Sequence, residues 1–152
     1  MRWFGVNECS ISSGTPSGVY HDGAYCPVCK SPMTYDYYHY NQIGAYRCPS
    51  CGHAKPKTDF TVTDVDLGSG ELTIDGDVRI QLAFRSIYNI YNILAAYSVC
   101  RCAGVASETA CRVINNYILK NGRMKDSSCT YTTLTSVCFL AGVALTVSFS
   151  IS

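Results

Sequence analysis

The chain has 152 residues, enough for one ordinary domain or two small units joined by a hairpin, with 47% hydrophobic and 15% charged residues. Twelve Lys and Arg against eleven Asp and Glu give a net charge of +1, which excludes a general attraction to nucleic acid or to an anionic membrane surface. Ten cysteines are many for this length, and their spacing decides how they are read.

Residues 1–24 open with Trp3, Phe4, Gly5 and Val6, a plausible strand, and continue as a Ser-, Gly- and Pro-rich stretch that reads as a loop. No basic-then-apolar leader stands at the front. Next come two C-P-x-C turns, Cys26-Pro27-Val28-Cys29 and Cys48-Pro49-Ser50-Cys51, separated by 18 residues. This is the spacing of a structural zinc ribbon over residues 25–57, in which each turn presents two thiolates to one tetrahedral ion. Gly52 follows the last cysteine, where such a turn uses a residue free to take positive φ. Two disulfides in a secreted domain are the competing account, and the missing leader speaks against it. Iron fits four thiolates as well as zinc does.

Four cysteines fill a coordination sphere, so the site is structural rather than catalytic. Metal binding of about 10–16 kcal/mol exceeds what roughly 30 residues gain by burying a core, so chelation is expected to unfold the ribbon. Between the turns, Met33 to Tyr40 is rich in strand-forming residues, including Tyr35, Tyr37, Tyr38 and Tyr40. These tyrosines either cover the metal site or offer a surface for stacking bases beside Lys30, Arg47 and Lys55. The local charge excess over residues 25–58 is only +3, and no nucleic acid partner is expected.

After Lys55-Pro56-Lys57, the segment Phe60 to Leu67 alternates like a half-buried strand. Gly68-Ser69-Gly70 turns the chain into Glu71 to Ile74, and Asp75-Gly76 turns it into Val78 to Phe84. Residues 59–84 therefore read as a three-stranded antiparallel meander. From Ser86, the N-cap candidate, the period becomes helical, with Ile90, Ile93, Leu94, Tyr97 and Val99 on one broad face and Gly104 as the stop. A second helix starts at Ser107-Glu108-Thr109, carries Val113, Ile114, Tyr117 and Ile118, and stops near Asn121-Gly122. The fold class is α+β.

Cys9, Cys100, Cys102, Cys111, Cys129 and Cys138 form no framework and read as reduced thiols among apolar residues. The histidines, His21, His39 and His53, lie in or near the ribbon, so none of these thiols has an evident activating partner. From Ser127 to Ser152 no residue is charged. That tail admits a membrane-spanning helix, buried strands, or a sequence that did not evolve with this fold.

Tyr25 to Cys29, Ile43 to Gly52 and Asn89-Ile90-Tyr91-Asn92-Ile93-Leu94-Ala95-Ala96 together resemble the MurT family, the Mur ligase-like subunits of glutamine-hydrolysing lipid II isoglutaminyl synthase, over roughly residues 3–125. The resemblance implies part of a Mur ligase middle domain, with residues 58–125 its meander and helices and 126–152 a divergent tail. It implies ATP-dependent activation of the D-glutamate α-carboxylate of lipid II and its amidation. A glutamine amidotransferase subunit like GatD would supply the ammonia, at the cytoplasmic face of the membrane. Asn92, and more weakly Asn89, then fall at positions that lie against adenine, where an amide both donates and accepts. No G-x-x-x-x-G-K-S/T occurs in the chain, so ATP and Mg2+ belong to the complete enzyme, and the chain reads as an internal fragment inactive alone. The alternative is a free-standing zinc-ribbon module that binds protein or nucleic acid.

Overall fold

A computed structural model describes residues 1–17, 23–82 and 85–116. The part of the second predicted helix at Tyr117 and Ile118 and the uncharged tail lie outside the described residues. Among the described residues, eight elements follow in chain order: β1 (Phe4–Val6), β2 (Thr34–Tyr40), β3 (Ile43–Arg47), β4 (Phe60–Asp66), β5 (Glu71–Ile74), β6 (Val78–Gln81), α1 (Ile87–Cys102) and α2 (Ser107–Asn115). They form a four-stranded sheet in the order β1-β4-β5-β6, a separate β2-β3 hairpin, and two helices.

The antiparallel β4-β5-β6 meander is the one the alternation predicts. One detail differs: Val62 and Val65, three residues apart, are both fully buried. A register shift between Val62 and Asp64 reconciles them, because an extra residue in one strand turns the next side chain back to the same face. Asp75 and Gly76 both take positive φ, 53° and 88°, in the β5-β6 turn. The Asp75 carboxylate fixes that turn by accepting from Thr61 N at 2.8 Å.

The first strand joins the same sheet, pairing in parallel with β4 through Phe4↔Phe60, Gly5↔Thr61 and Val6↔Val62. The sheet is therefore mixed, and the β2-β3 hairpin lies within the connection between its two parallel strands. Periodicity reports a strand and not its partner, so this pairing is a finding of the structure.

Ser86 caps α1, its side chain accepting from Asn89 N at 3.3 Å. Ile90, Ile93, Leu94, Tyr97 and Cys100 bury one side of the helix. Its end is a Schellman turn: Gly104 takes φ 83°, Val105 N bonds Cys100 O at 3.0 Å and Gly104 N bonds Arg101 O at 3.1 Å. In α2, Ala110 and Ile114 are buried. The Asn115 side chain accepts from Gln81 N at 2.9 Å, which ties α2 to β6.

The core joins Val6, Val62, Val65, Leu72, Ile74 and Ile80 of the sheet to Ile90, Leu94, Tyr97 and Ile114 of the helices. Burying each such side chain contributes about 1.5–3 kcal/mol. The described cysteines outside the two turns do not share one environment: Cys100 is buried, Cys9 and Cys111 are half-buried, and Cys102 is exposed. Burial thus does not extend to Cys102, which sits where α1 runs out into its C-terminal turn.

Candidate metal centre

Two turns of like geometry build the site. In the first, Lys30 N bonds Cys26 O at 2.9 Å and Cys26 N bonds Ser31 O at 2.8 Å; in the second, Gly52 N bonds Cys48 O at 3.0 Å and Cys48 N bonds His53 O at 2.7 Å. Each turn also closes with an isolated bridge, Tyr25↔Pro32 and Arg47↔Ala54. The residue after the second cysteine takes positive φ in both, Lys30 at 61° and Gly52 at 75°. Gly52 matches the expectation from sequence, and Lys30 is the same geometry with a side chain.

The hairpin brings the turns together. β3 ends at Arg47, immediately before Cys48, and Thr34 at the start of β2 pairs with it, the Thr34 hydroxyl donating to Arg47 O at 3.1 Å. Gly44 permits this approach, since a Cβ there would lie 2.1 Å from Tyr37 O and 3.0 Å from Tyr38 Cα.

The four sulfur atoms of Cys26, Cys29, Cys48 and Cys51 lie within 4.8 Å of one another. Across the turns, Cys26 and Cys51 are 3.6 Å apart and Cys29 and Cys48 are 3.4 Å apart. A tetrahedral ion bound to thiolates at about 2.3 Å holds its sulfurs about 3.8 Å apart, so the donor set fits a metal. These separations are well beyond the roughly 2.05 Å of a disulfide bond and close to those of a thiolate-bound ion. Cys26 and Cys48 are buried while Cys29 and Cys51 are exposed.

Crowding splits the thiols. The Ser31 side chain, then its backbone, then Cys48, hold Cys29 down to about 6 by hydrogen bonding to its thiolate. Burial pushes Cys26 up, but backbone hydrogen bonds at Cys29 and Val28 outweigh it and leave the thiol below its ordinary value. Cys51 gains a hydrogen bond from the His53 backbone, yet the Cys29 thiol, burial and the other sulfurs push it up to about 12. A cluster that readily gives up some protons and resists losing the last is one that a cation completes.

The tyrosines of β2 are each partly covered. Tyr35 stacks on Tyr38 with centroids 4.5 Å apart, and its hydroxyl donates to Gly23 O at 3.0 Å. Tyr37 donates to Val6 O at 3.2 Å, and Tyr40 meets the Tyr88 ring edge-on at 5.2 Å. All four are half-buried: Tyr37 and Tyr40 reach β1 and α1, while Tyr35 and Tyr38 stack beside the loop at Gly23.

Asn89 and Asn92 stand in the first half of α1, Asn89 half-buried and Asn92 exposed. The structure does not bring them into the cysteine cluster. Tyr91, which lies between them in the sequence, instead joins a polar junction that periodicity does not mark. There His39, 3% exposed, places Nδ1 2.8 Å from the Tyr91 hydroxyl and Nε2 3.1 Å from Asn7 O. Lys55 Nζ donates to Val6 O at 2.7 Å and to the Tyr37 hydroxyl at 3.1 Å. Burial lowers the pKa of both His39 and Lys55. A histidine within the tyrosine-rich strand is the sequence signal for this junction.

No family model matches the chain. Among solved structures, a pseudomurein peptide ligase type C from Methanothermus fervidus superposes with a TM-score of 0.65 over 82% of this chain and 25% of its own length, at 22% identity. The chain thus shares its fold with part of that protein. Sequence similarity is narrower. The chain is a relative of the MurT subunit of lipid II isoglutaminyl synthase (glutamine-hydrolysing): it is 33% identical to the Staphylococcus aureus protein over 105 residues, which is 69% of this chain and 24% of that protein. To the Streptococcus pneumoniae MurT subunit it is 34% identical over 91 residues, 57% of this chain and 20% of that protein. The chain spans about a fifth to a quarter of the length of these curated relatives. Among the described residues, no helix is long and apolar enough to cross a membrane.

Proposed function

We propose that this chain supplies the metal-stabilised middle portion of a MurT-like ligase subunit that amidates the D-glutamate α-carboxylate of lipid II, at the cytoplasmic face of the membrane. The observation that carries the reading is the 33% identity to a MurT subunit over 69% of the chain. Cys26, Cys29, Cys48 and Cys51 hold a structural zinc ion, which orders the hairpin and leaves no position for water or substrate. Asn92, exposed on α1, contacts the adenine of ATP, with Asn89 in support. The phosphates and Mg2+ are gripped outside this sequence, which contains no phosphate-binding loop. Ammonia comes from a glutamine amidotransferase partner.

The domain division that follows is a lead-in over 1–24, the ribbon over 25–57, the body over 58–125 and the tail from 126. A chimera tests the reading: the matching segment of the Staphylococcus aureus subunit is replaced by this one, and amidation of lipid II is measured. Retained amidation, with KM for ATP raised by Asn92→Ala, is the expected result. A folded chimera that binds ATP and lipid II but forms no amide contradicts it.

A further inference from the structure

Two consecutive residues at the tip of β2 reach from the cysteine hairpin to α1. His39 Nδ1 lies 2.8 Å from the Tyr91 hydroxyl, and the Tyr40 ring meets Tyr88 edge-on at 5.2 Å. Tyr88 and Tyr91 are three residues apart, hence neighbours on one face of the helix. The residues directly after them are Asn89 and Asn92.

The hydrogen bonds fix the imidazole. Asn7 O can only accept, so Nε2 carries the ring proton and donates to it at 3.1 Å. Nδ1 of the neutral ring then has a free lone pair, and Tyr91 donates its hydroxyl proton there. One ring thus joins the end of β1, the hairpin and the helix.

We propose that His39 is a positioning residue through which metal loading of Cys26, Cys29, Cys48 and Cys51 sets the placement of the first turns of α1, and with them Asn89 and Asn92. The inference rests on the metal reading above. A two-stranded hairpin is marginal by itself, and the root of this one is closed by the cysteine turns. A slip of one residue in β2 moves His39 to the opposite face, so its partners depend on the register that the root holds. The mutual bonds between Ser13 and Tyr38 backbones, at 2.7 and 2.8 Å, tether the hairpin to the N-terminal loop and so keep it on the body without fixing α1. Ile90, Ile93 and Leu94 root α1 in the core and keep the helix formed when metal is lost, while the His39–Tyr91 and Tyr40–Tyr88 contacts that fix its outer face are released. Coupling of this kind is reciprocal: whatever weakens the helix contact weakens the metal.

The test uses the full chain labelled with 15N. Zn2+ is titrated while the Asn89 and Asn92 amides and the His39 ring nitrogens are followed by NMR, and Co2+ is titrated in parallel because its visible absorption reports a four-thiolate site independently. Zinc loading is expected to shift both Asn amides and to hold His39 as the Nε2–H tautomer. Tyr91→Phe, which keeps the ring, should retain the cobalt spectrum, lose the Asn response, and bind metal on the order of fivefold more weakly. Asn amides that ignore zinc, or that respond equally in Tyr91→Phe, overturn the positioning role and leave the metal reading intact. A wild-type chain with no thiolate cobalt spectrum overturns both.

Discussion

Lys30 and Gly52 hold the same place in the two cysteine turns, and both have left-handed backbone, with φ of 61° and 75°. The chain therefore meets one geometric demand with a glycine and the other with a side chain that this region disfavours. Lys30 also donates from Nζ to Pro27 O at 3.2 Å, an exposed contact that offsets little of the strain.

Lys30→Gly should stabilise the metal-loaded chain, because removing Cβ from a left-handed residue relieves about 1–2 kcal/mol while the added freedom of the unfolded chain takes back roughly 0.5–1 kcal/mol. Thermal unfolding with excess zinc measures it. A lower melting temperature would show that the Nζ contact outweighs the backbone strain.

Gly44→Ala should act in the opposite direction. Its Cβ would stand 2.1 Å from Tyr37 O, a backbone atom that moves only if the strands part. The expected cost is about 1–3 kcal/mol, seen as a lowered denaturation midpoint with Tyr35 and Tyr38 unstacked. An unchanged midpoint would mean that the hairpin tolerates a wider separation.

Acid should weaken the fold through His39. Burial, the largest influence, and nearby Lys55 lower its pKa, against the raising effect of the Asn7 backbone bond. The unfolded chain then binds a proton, near pH 6.5, that the folded chain refuses. Stability is full above that value and falls as the pH drops from it towards the folded pKa, by at most about 1.4 kcal/mol per pH unit from this one group. Chemical denaturation at fixed excess zinc, between pH 7.5 and 5, should show the slope in the wild type and a shallower one in His39→Gln. Equal slopes would place the acid sensitivity elsewhere.

Leu94, fully buried where α1 packs on the sheet, tests the body independently of the metal. Leu94→Ala should lower stability by about 2–5 kcal/mol, equally with and without zinc. A cost that vanishes on chelation would mean that the core does not stand without the hairpin.

What the sequence makes legible is local chemistry. The two C-P-x-C turns, Gly52, the Ser86 cap and the Gly104 stop each depend on a few adjacent residues, and the structure places them as the spacing implies. Lys30 hides the same turn geometry because no residue type announces it. The parallel pairing of Phe4–Val6 with β4 joins segments more than fifty residues apart, and nothing in either strand names the other. His39 meets Tyr91 across 52 residues, so the junction emerges only when the sheet, the hairpin and α1 are assembled.

The metal content of the purified chain, with X-ray absorption at the metal edge, tests the central claim most directly. One zinc per chain with four sulfur ligands at about 2.3 Å is expected, with loss of hairpin NMR dispersion over residues 25–57 when a chelator removes it. Metal-free protein with the hairpin folded, or a metal shell containing oxygen in place of sulfur, would contradict it.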